Sequence, residues 1–149
     1  LVCTLPSVGS AVLSIAWKSC GGSGCKGSGM AGSTLFAGVA DGTIRKFECD
    51  VPSSTSIAKG WRATTRMTVE NHGRQSPTKV WALKVLTDDT VISGDSMGHI
   101  QFWDGRAGTL LQSFEHNSEK ADVLDLAVNI DQSKVMACGV DSKVVCIKR

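Results

Sequence analysis

The sequence predicts an all-β chain built from a repeated, four-stranded antiparallel unit, and three observations carry that prediction. Three stretches, Ala37 to Glu48, Ser93 to Asp104 and Ala137 to Lys148, follow one plan: a strand, a tight turn, and a second strand that ends on a bulky apolar residue. Their equivalent turn positions 41, 97 and 141 lie 56 and 44 residues apart, and a sheet unit that recurs every ~40 to 45 residues marks a propeller blade. No segment carries a convincing helical period.

The remaining strands fall where such a unit needs them. Val12 to Trp17, Val80 to Leu86 and Val123 to Val128 are short, nearly continuous apolar runs upstream of the three hairpins. They read as inner strands buried on both faces. After the first hairpin, Trp61 to Glu70 alternates, with Trp61, Ala63, Met67 and Val69 expected on one face and Arg62, Thr64, Arg66, Thr68 and Glu70 on the other. That period of two predicts a half-buried outer strand. Thr109 to Phe114 does the same behind the turn Gly105-Arg106-Ala107-Gly108.

The units are therefore expected at 1–70, 71–115 and 116–149, the last without its outer strand. About two and a half blades cannot close a ring that typically takes roughly four to eight. The expectation is a portion of a larger propeller with a blade face open at each end. Two stretches depart from the repeat. Ser19 to Ser33 is a Gly/Ser-rich insertion, and Asp50 to Gly60, rich in Ser and Thr with Pro52, lengthens the first interval.

Composition narrows the chemistry. With 149 residues, 42% hydrophobic content and a net charge of +2, the chain can bury a core and is not a strongly basic nucleic-acid binder. It has no apolar run long enough to span a membrane, no signal-peptide pattern and no Asn-x-Ser/Thr site. Six cysteines, Cys3, Cys20, Cys25, Cys49, Cys138 and Cys146, are scattered without the density of a disulfide scaffold, which suits reduced thiols in an intracellular protein. His72, His99 and His116 have no recurring ligand spacing around them, and Cys20 and Cys25 lack a second pair to complete a zinc site. No nucleophile elbow and no phosphate-cradling glycine loop occurs, so neither catalytic residues nor a cofactor is expected.

Charge placement gives the one partner signal. Between positions 59 and 79 the cations Lys59, Arg62, Arg66, Arg74 and Lys79 face the single anion Glu70, a local balance of +4. An anionic RNA or an acidic protein tail would find this strip favourable. Charges on an outer strand also serve simply to discourage edge-to-edge aggregation. Only Trp61 interleaves with the cations, which does not make a stacking platform for single-stranded RNA.

Ser93 to Asp104, closing on Phe102-Trp103-Asp104, together with Ala40 to Arg45 resembles the WD40 repeat, and the resemblance runs over nearly the whole chain apart from the inserted loops. A longer set, Thr64 to Val69, Val80 to Leu83, Thr90 to Ser96, Gly98 to Asp104 and Gly108 to Leu110, resembles the cirhin family, WD40 subunits of the small-subunit processome, the U3 small nucleolar RNA-associated complex that assembles on nascent pre-ribosomal RNA. The resemblance implies a non-catalytic scaffold in the nucleolus, contacting other processome subunits with the pre-ribosomal RNA nearby, in a pathway that matures 18S ribosomal RNA. It also marks Asp41, Gly42, Ser93, Gly98, Trp103, Asp104 and Asp141 as structural positions of the repeat. The competing class is a WD40 adaptor of another assembly, such as a ubiquitin-ligase substrate receptor or a trafficking coat, because fold alone does not fix function.

The repeats are imperfect. A well-formed WD40 repeat joins a His before the inner strand, a Ser or Thr in the second strand, an Asp in the turn and a Trp in the third strand, and no unit here has all four. The second offers His72 or a neighbour, Ser93 and Trp103 but has Met97 at the turn; the first and third keep Asp41 and Asp141 but carry Phe47 and Ile147 for Trp, and Ala37 and Ala137 for Ser. Such blades are expected to rely on apolar packing more than on a polar network.

Overall fold

A computed structural model describes residues 4–18, 33–49, 60–70, 76–116 and 120–149. The described residues form eleven strands in three antiparallel sheets and no helix. The first sheet holds β1 (Val12–Trp17), β2 (Ser33–Val39), β3 (Thr43–Cys49) and β4 (Trp61–Thr68), hydrogen-bonded in that order. The second holds β5 (Val80–Val85), β6 (Thr90–Asp95), β7 (His99–Asp104) and β8 (Leu110–Glu115), again in order. In the third, β10 (Lys134–Gly139) lies between β9 (Val123–Val128) and β11 (Val144–Lys148).

The hairpin turns explain their own residues. Gly42 and Gly98 sit at φ +79° and +77°, a backbone region that costs glycine nothing and a β-branched residue a good deal. The repeat extends to its irregularities. Each inner strand slips by one residue against its neighbour just after it begins, between Val12 and Ser14, between Val80 and Ala82, and between Val123 and Asp125. A second slip recurs where the third strand meets the fourth, beside Lys46/Phe47 and beside Phe102/Trp103. Such bulges bend a strand and re-aim the side chains beyond them.

The sheets stack face to face through two apolar seams. Phe36, Ile44, Met67 and Val69 of the first sheet meet Val80, Leu83, Val91 and Trp103 of the second. Ala82, Ile92, Ile100 and Phe102 of the second meet Val123, Leu126, Val135, Ala137 and Ile147 of the third. Leu35, Ala37 and Phe47 form a smaller cluster on the opposite face of the first sheet, partly covered by Leu5, Val8 and Trp61.

Both seams close on a glycine. A Cβ on Gly38 would lie 2.7 Å from Val80 Cγ1 and 2.8 Å from the Val80 carbonyl oxygen; one on Gly94 would lie 2.6 Å from Val123 Cγ1. The two positions are equivalent in the repeat, and in each the first residue of the next inner strand fills the space a side chain would need. Ser14 adds a hydrogen bond to the Val80 carbonyl across the first seam, at 3.2 Å.

Polar contacts join all three sheets at the turn between β5 and β6. Asp89 there forms ion pairs with Lys18, which follows β1, and with Arg106 at 2.6 Å. Asp88 pairs with Arg149, which also donates to the Thr90 hydroxyl at 3.0 Å, and Thr87 meets Gln132 of the third sheet through its backbone and its hydroxyl. Burial pushes the Asp89 carboxyl up, yet hydrogen bonds and charge from Lys18 and Arg106 hold it below its ordinary value.

Two expectations need correction. Only the second sheet's inner strand is largely buried; in the first, Val12, Ile15 and Trp17 are half exposed or more, and in the third Leu124 is 47% exposed. An apolar run is buried on both faces only when a sheet stands on each side, and among the described residues only the second sheet has two neighbours. The outer strand also departs from simple alternation. Phe47 pairs with Ala63 while Lys46 pairs with Thr65, so the extra residue Thr64 switches faces: Trp61 and Ala63 lie with Phe47, whereas Met67 lies with Ile44 in the seam.

Adding one methyl at Gly38 or Gly94 forces the neighbouring inner strand outward. Gly38→Ala and Gly94→Ala are each expected to lower stability by about 1–3 kcal/mol. Gly60→Ala, where a Cβ meets nothing within 4 Å, should leave it nearly unchanged. Urea unfolding of the three variants checks this, and equal midpoints would contradict close packing at the seams.

Candidate interaction surface

The first two hairpins bind their turn N–H groups with differently placed carboxylates, and the third places its carboxylate against a histidine. In the first, Asp41 accepts from the backbone N–H of Thr43 at 3.1 Å and from its hydroxyl at 2.5 Å, and lies 3.6 Å from Arg45. In the second, Met97 occupies the corresponding turn position, and Asp95 accepts instead from the N–H groups of Met97 and His99 at 2.8 and 3.0 Å. The aspartate two residues upstream thus serves the turn that lacks one. In the third, Asp141 lies 3.5 Å from His116 Nδ1.

Beside the apolar packing expected of these blades, part of the polar network persists. Trp103 Nε1 donates to Ser93 Oγ at 2.9 Å, with Ser93 fully buried. His116, treated as a lone histidine in the sequence, is buried with Nε2 3.3 Å from the Ala137 carbonyl oxygen, so that nitrogen carries the hydrogen. It bridges the second strand and the turn of the third sheet. His72 lies outside the described residues. The clue to His116 was its place shortly before the inner strand beginning at Val123.

Asp95 carries the most loaded of these carboxylates. It is fully buried, and that burial raises its carboxyl above the ordinary value, against the pull of the His99 and Met97 N–H groups and of the His99 ring 3.5 Å away. Asp104 is the reverse case. Its exposed carboxylate accepts from the N–H groups of Ala107 and Arg106 at 3.0 and 2.8 Å, which hold it below its ordinary value.

The basic strip does not form one face. Arg62 pairs with Glu48 and Arg66 with Arg45, three positions apart on a regular β3, so the bulge at Thr64 sends the two exposed arginines to opposite faces of the sheet. Arg66 shares its face with Arg45 and Trp61, and Trp17 lies there too, its ring 5.5 Å from that of Trp61. Arg62 shares its face with Lys46 and Glu48, themselves paired at 2.8 Å. Lys79 is not on this strand at all; it precedes β5, with its ammonium 5.5 Å from the ring centre of Trp81. Lys59 and Arg74 lie outside the described residues.

The cavities are small and open. One of about 180 Å³ is lined by Ser76, Pro77, Thr78, Lys79, Ser96, Met97 and Asp122. Another of about 210 Å³ lies over the turn of Asp88 and Asp89. Among the described residues no three His, Cys, Asp or Glu side chains are grouped as a metal site would need. Cys20 and Cys25 lie outside them.

The fold and its recurring turn chemistry are those of consecutive WD40 propeller blades. No family model matches the chain. It is similar to U3 small nucleolar RNA-associated protein 4 of Schizosaccharomyces pombe, 35% identical over 115 residues that make up 77% of this chain and 15% of that protein. The Saccharomyces cerevisiae protein of the same name is 33% identical over 134 residues, 89% of this chain and 15% of its own length. The human homolog is 49% identical over 49 residues, 33% of this chain and 7% of that protein. The chain thus spans a minor part of the relatives it matches.

Two outcomes test the turn chemistry. Trp103→Phe strands the buried Ser93 hydroxyl and is expected to cost about 1–3 kcal/mol, and adding Ser93→Ala should restore part of that loss in a double-mutant cycle read by urea unfolding. Asp95 gives a pH signature. As pH rises past the ordinary aspartate value of about 3.9, the unfolded chain loses its proton before buried Asp95 does, so folding loses stability until the folded carboxyl also ionises. The stability of the parent chain relative to Asp95→Asn should therefore fall with rising pH across that window and level off above it. A flat difference would contradict the raised carboxyl.

Proposed function

We propose that this chain is a non-catalytic scaffold segment of a WD40 subunit in the small-subunit processome, acting in ribosome biogenesis and 18S ribosomal RNA maturation in the nucleolus. The observation that carries this reading is the similarity to two fungal U3 small nucleolar RNA-associated proteins across 77% and 89% of the chain. The geometry suits a scaffold: the buried polar groups of Ser93, Trp103 and His116 hold turns and strands in place, and the exposed side chains lie on sheet edges and faces open to large partners. Other protein subunits of the assembly are the partners, with pre-ribosomal RNA alongside.

Any direct RNA contact in this reading falls to the face of the first sheet that carries Arg66 and Arg45 beside the exposed Trp17 and the half-buried Trp61, because cations next to accessible aromatic rings serve both phosphate and base. Arg62, across the sheet beside Glu48, is poorly placed for it.

Affinity purification of the full-length protein tests the scaffold. Co-recovery of U3 small nucleolar RNA and processome subunits is expected; recovery with cullin or coat subunits instead would replace this reading with the adaptor. Within it, Arg66→Glu is expected to weaken association with pre-ribosomal RNA and to reduce the magnitude of the salt slope by about 1, whereas Arg62→Glu leaves both nearly unchanged. Equal effects of the two would remove the assignment of a face.

A further inference from the structure

The connection from the first sheet to the second carries Ser76-Pro77-Thr78-Lys79, four residues whose chemistry the scaffold reading does not use. Ser76 and Pro77 are exposed and lie outside any strand. Thr78 is buried and donates from its hydroxyl to the Glu70 carbonyl oxygen at 3.2 Å, and the Lys79 N–H donates to Ser96 Oγ at 2.9 Å. The segment is thus pinned from Thr78 onward and presents its first hydroxyl to solvent. Ser76 and Lys79 line the same small cavity, together with Ser96 and Asp122.

We propose that Ser76 is a phosphorylation site for a proline-directed serine/threonine kinase, and that the phosphoryl group, once attached, seats against Lys79 in this cavity. Pro77 has no N–H and a fixed φ, and it disfavours the helical region for the preceding serine, which stands at a bend of the chain. A kinase that selects proline at this position reads the absence of a donor there. Lys79, three residues beyond the acceptor, supplies the cation that such enzymes pair with an anionic group of their own. In the transfer, Ser76 Oγ bonds to the γ-phosphorus of a nucleoside triphosphate as the bond from that phosphorus to the bridging oxygen breaks; the diphosphate leaves, and the hydroxyl proton passes to the kinase's base.

The product brings three acceptor oxygens and nearly two negative charges. On the cavity wall it meets one cation, Lys79, whose ammonium now rests over the exposed side of Trp81. It also meets Asp122, whose Oδ2 accepts from Trp81 Nε1 at 2.9 Å. A phosphate dianion is a stronger partner for an ammonium than an aromatic face is, so Lys79 moves from the ring to the phosphate. Ser76 on the folded surface then differs from the same residue in a loose peptide, because there the cation is not held nearby.

The test compares the chain with a peptide of residues 70–82, each incubated with a cyclin-dependent kinase and ATP and read by mass spectrometry. Phosphate on Ser76 is expected in both, absent in Ser76→Ala and at least tenfold slower to appear in Pro77→Ala. A peptide that is modified while the folded chain resists overturns the proposal on access, and resistance of both overturns it on the motif. The seat is read by a ³¹P NMR pH titration. The second ionisation of the phosphate, ordinarily near about 6, should lie lower in the folded chain than in the phosphopeptide, and Lys79→Gln should abolish the difference. Identical titration of chain and peptide overturns the seat.

Discussion

The structure depends on how closely each inner strand enters the sheet before it. At Gly38 and Gly94 the incoming Val80 and Val123 stand where a side chain would begin, so the two sheets at each seam touch along their backbones. That contact lets Phe36 and Ile44, and likewise Ile92 and Ile100, reach across to the next sheet and become fully or almost fully buried. The corresponding residues of the third sheet, Met136 and Val144, are 43% and 68% exposed. Their character is the same; what differs is the presence of a neighbouring sheet. The strand registers that make this possible carry their one-residue slips at matching positions, so the irregularities belong to the repeat itself.

Polar groups secure what the seams bring together. The turn from Thr87 to Thr90 reaches Lys18 in the direction of the first sheet and Gln132 and Arg149 in the direction of the third. Within the sheets the turn carboxylates are placed differently and meet different partners: Asp41 and Asp95 accept from N–H groups of their own hairpins, and Asp141 lies beside the His116 ring. A degenerate repeat therefore retains its architecture by moving the carboxylate, as at Asp95, or by keeping part of the motif, as at His116 and Asp141. Buried polar groups that are left without partners are costly, and that cost selects substitutes even where the motif is lost.

For function, the consequence lies in which side chains a sheet can present together. Thr64 turns Arg62 and Arg66 away from each other, so a charge count along the strand overstates the basic surface available to one ligand. The arrangement favours the face on which Arg45, Arg66, Trp17 and Trp61 coincide.

The sequence by itself determined the strands, their order and the repeat, because period-two alternation, turn glycines and apolar runs are local properties of the chain. Val12 to Trp17, the hairpins around positions 41, 97 and 141, and the outer strand beginning at Trp61 are all legible in it. It also contained Ser93 and Trp103 as a pair, since their spacing in one motif is fixed. Tertiary structure alone decided which apolar runs are buried, which arginines share a face, that His116 is the histidine paired with Asp141, and that Asp95 completes a turn to which the motif does not assign it. Burial and pairing depend on what lies across a seam, and a bulge of one residue reverses a face without altering any local pattern by which it could be foreseen.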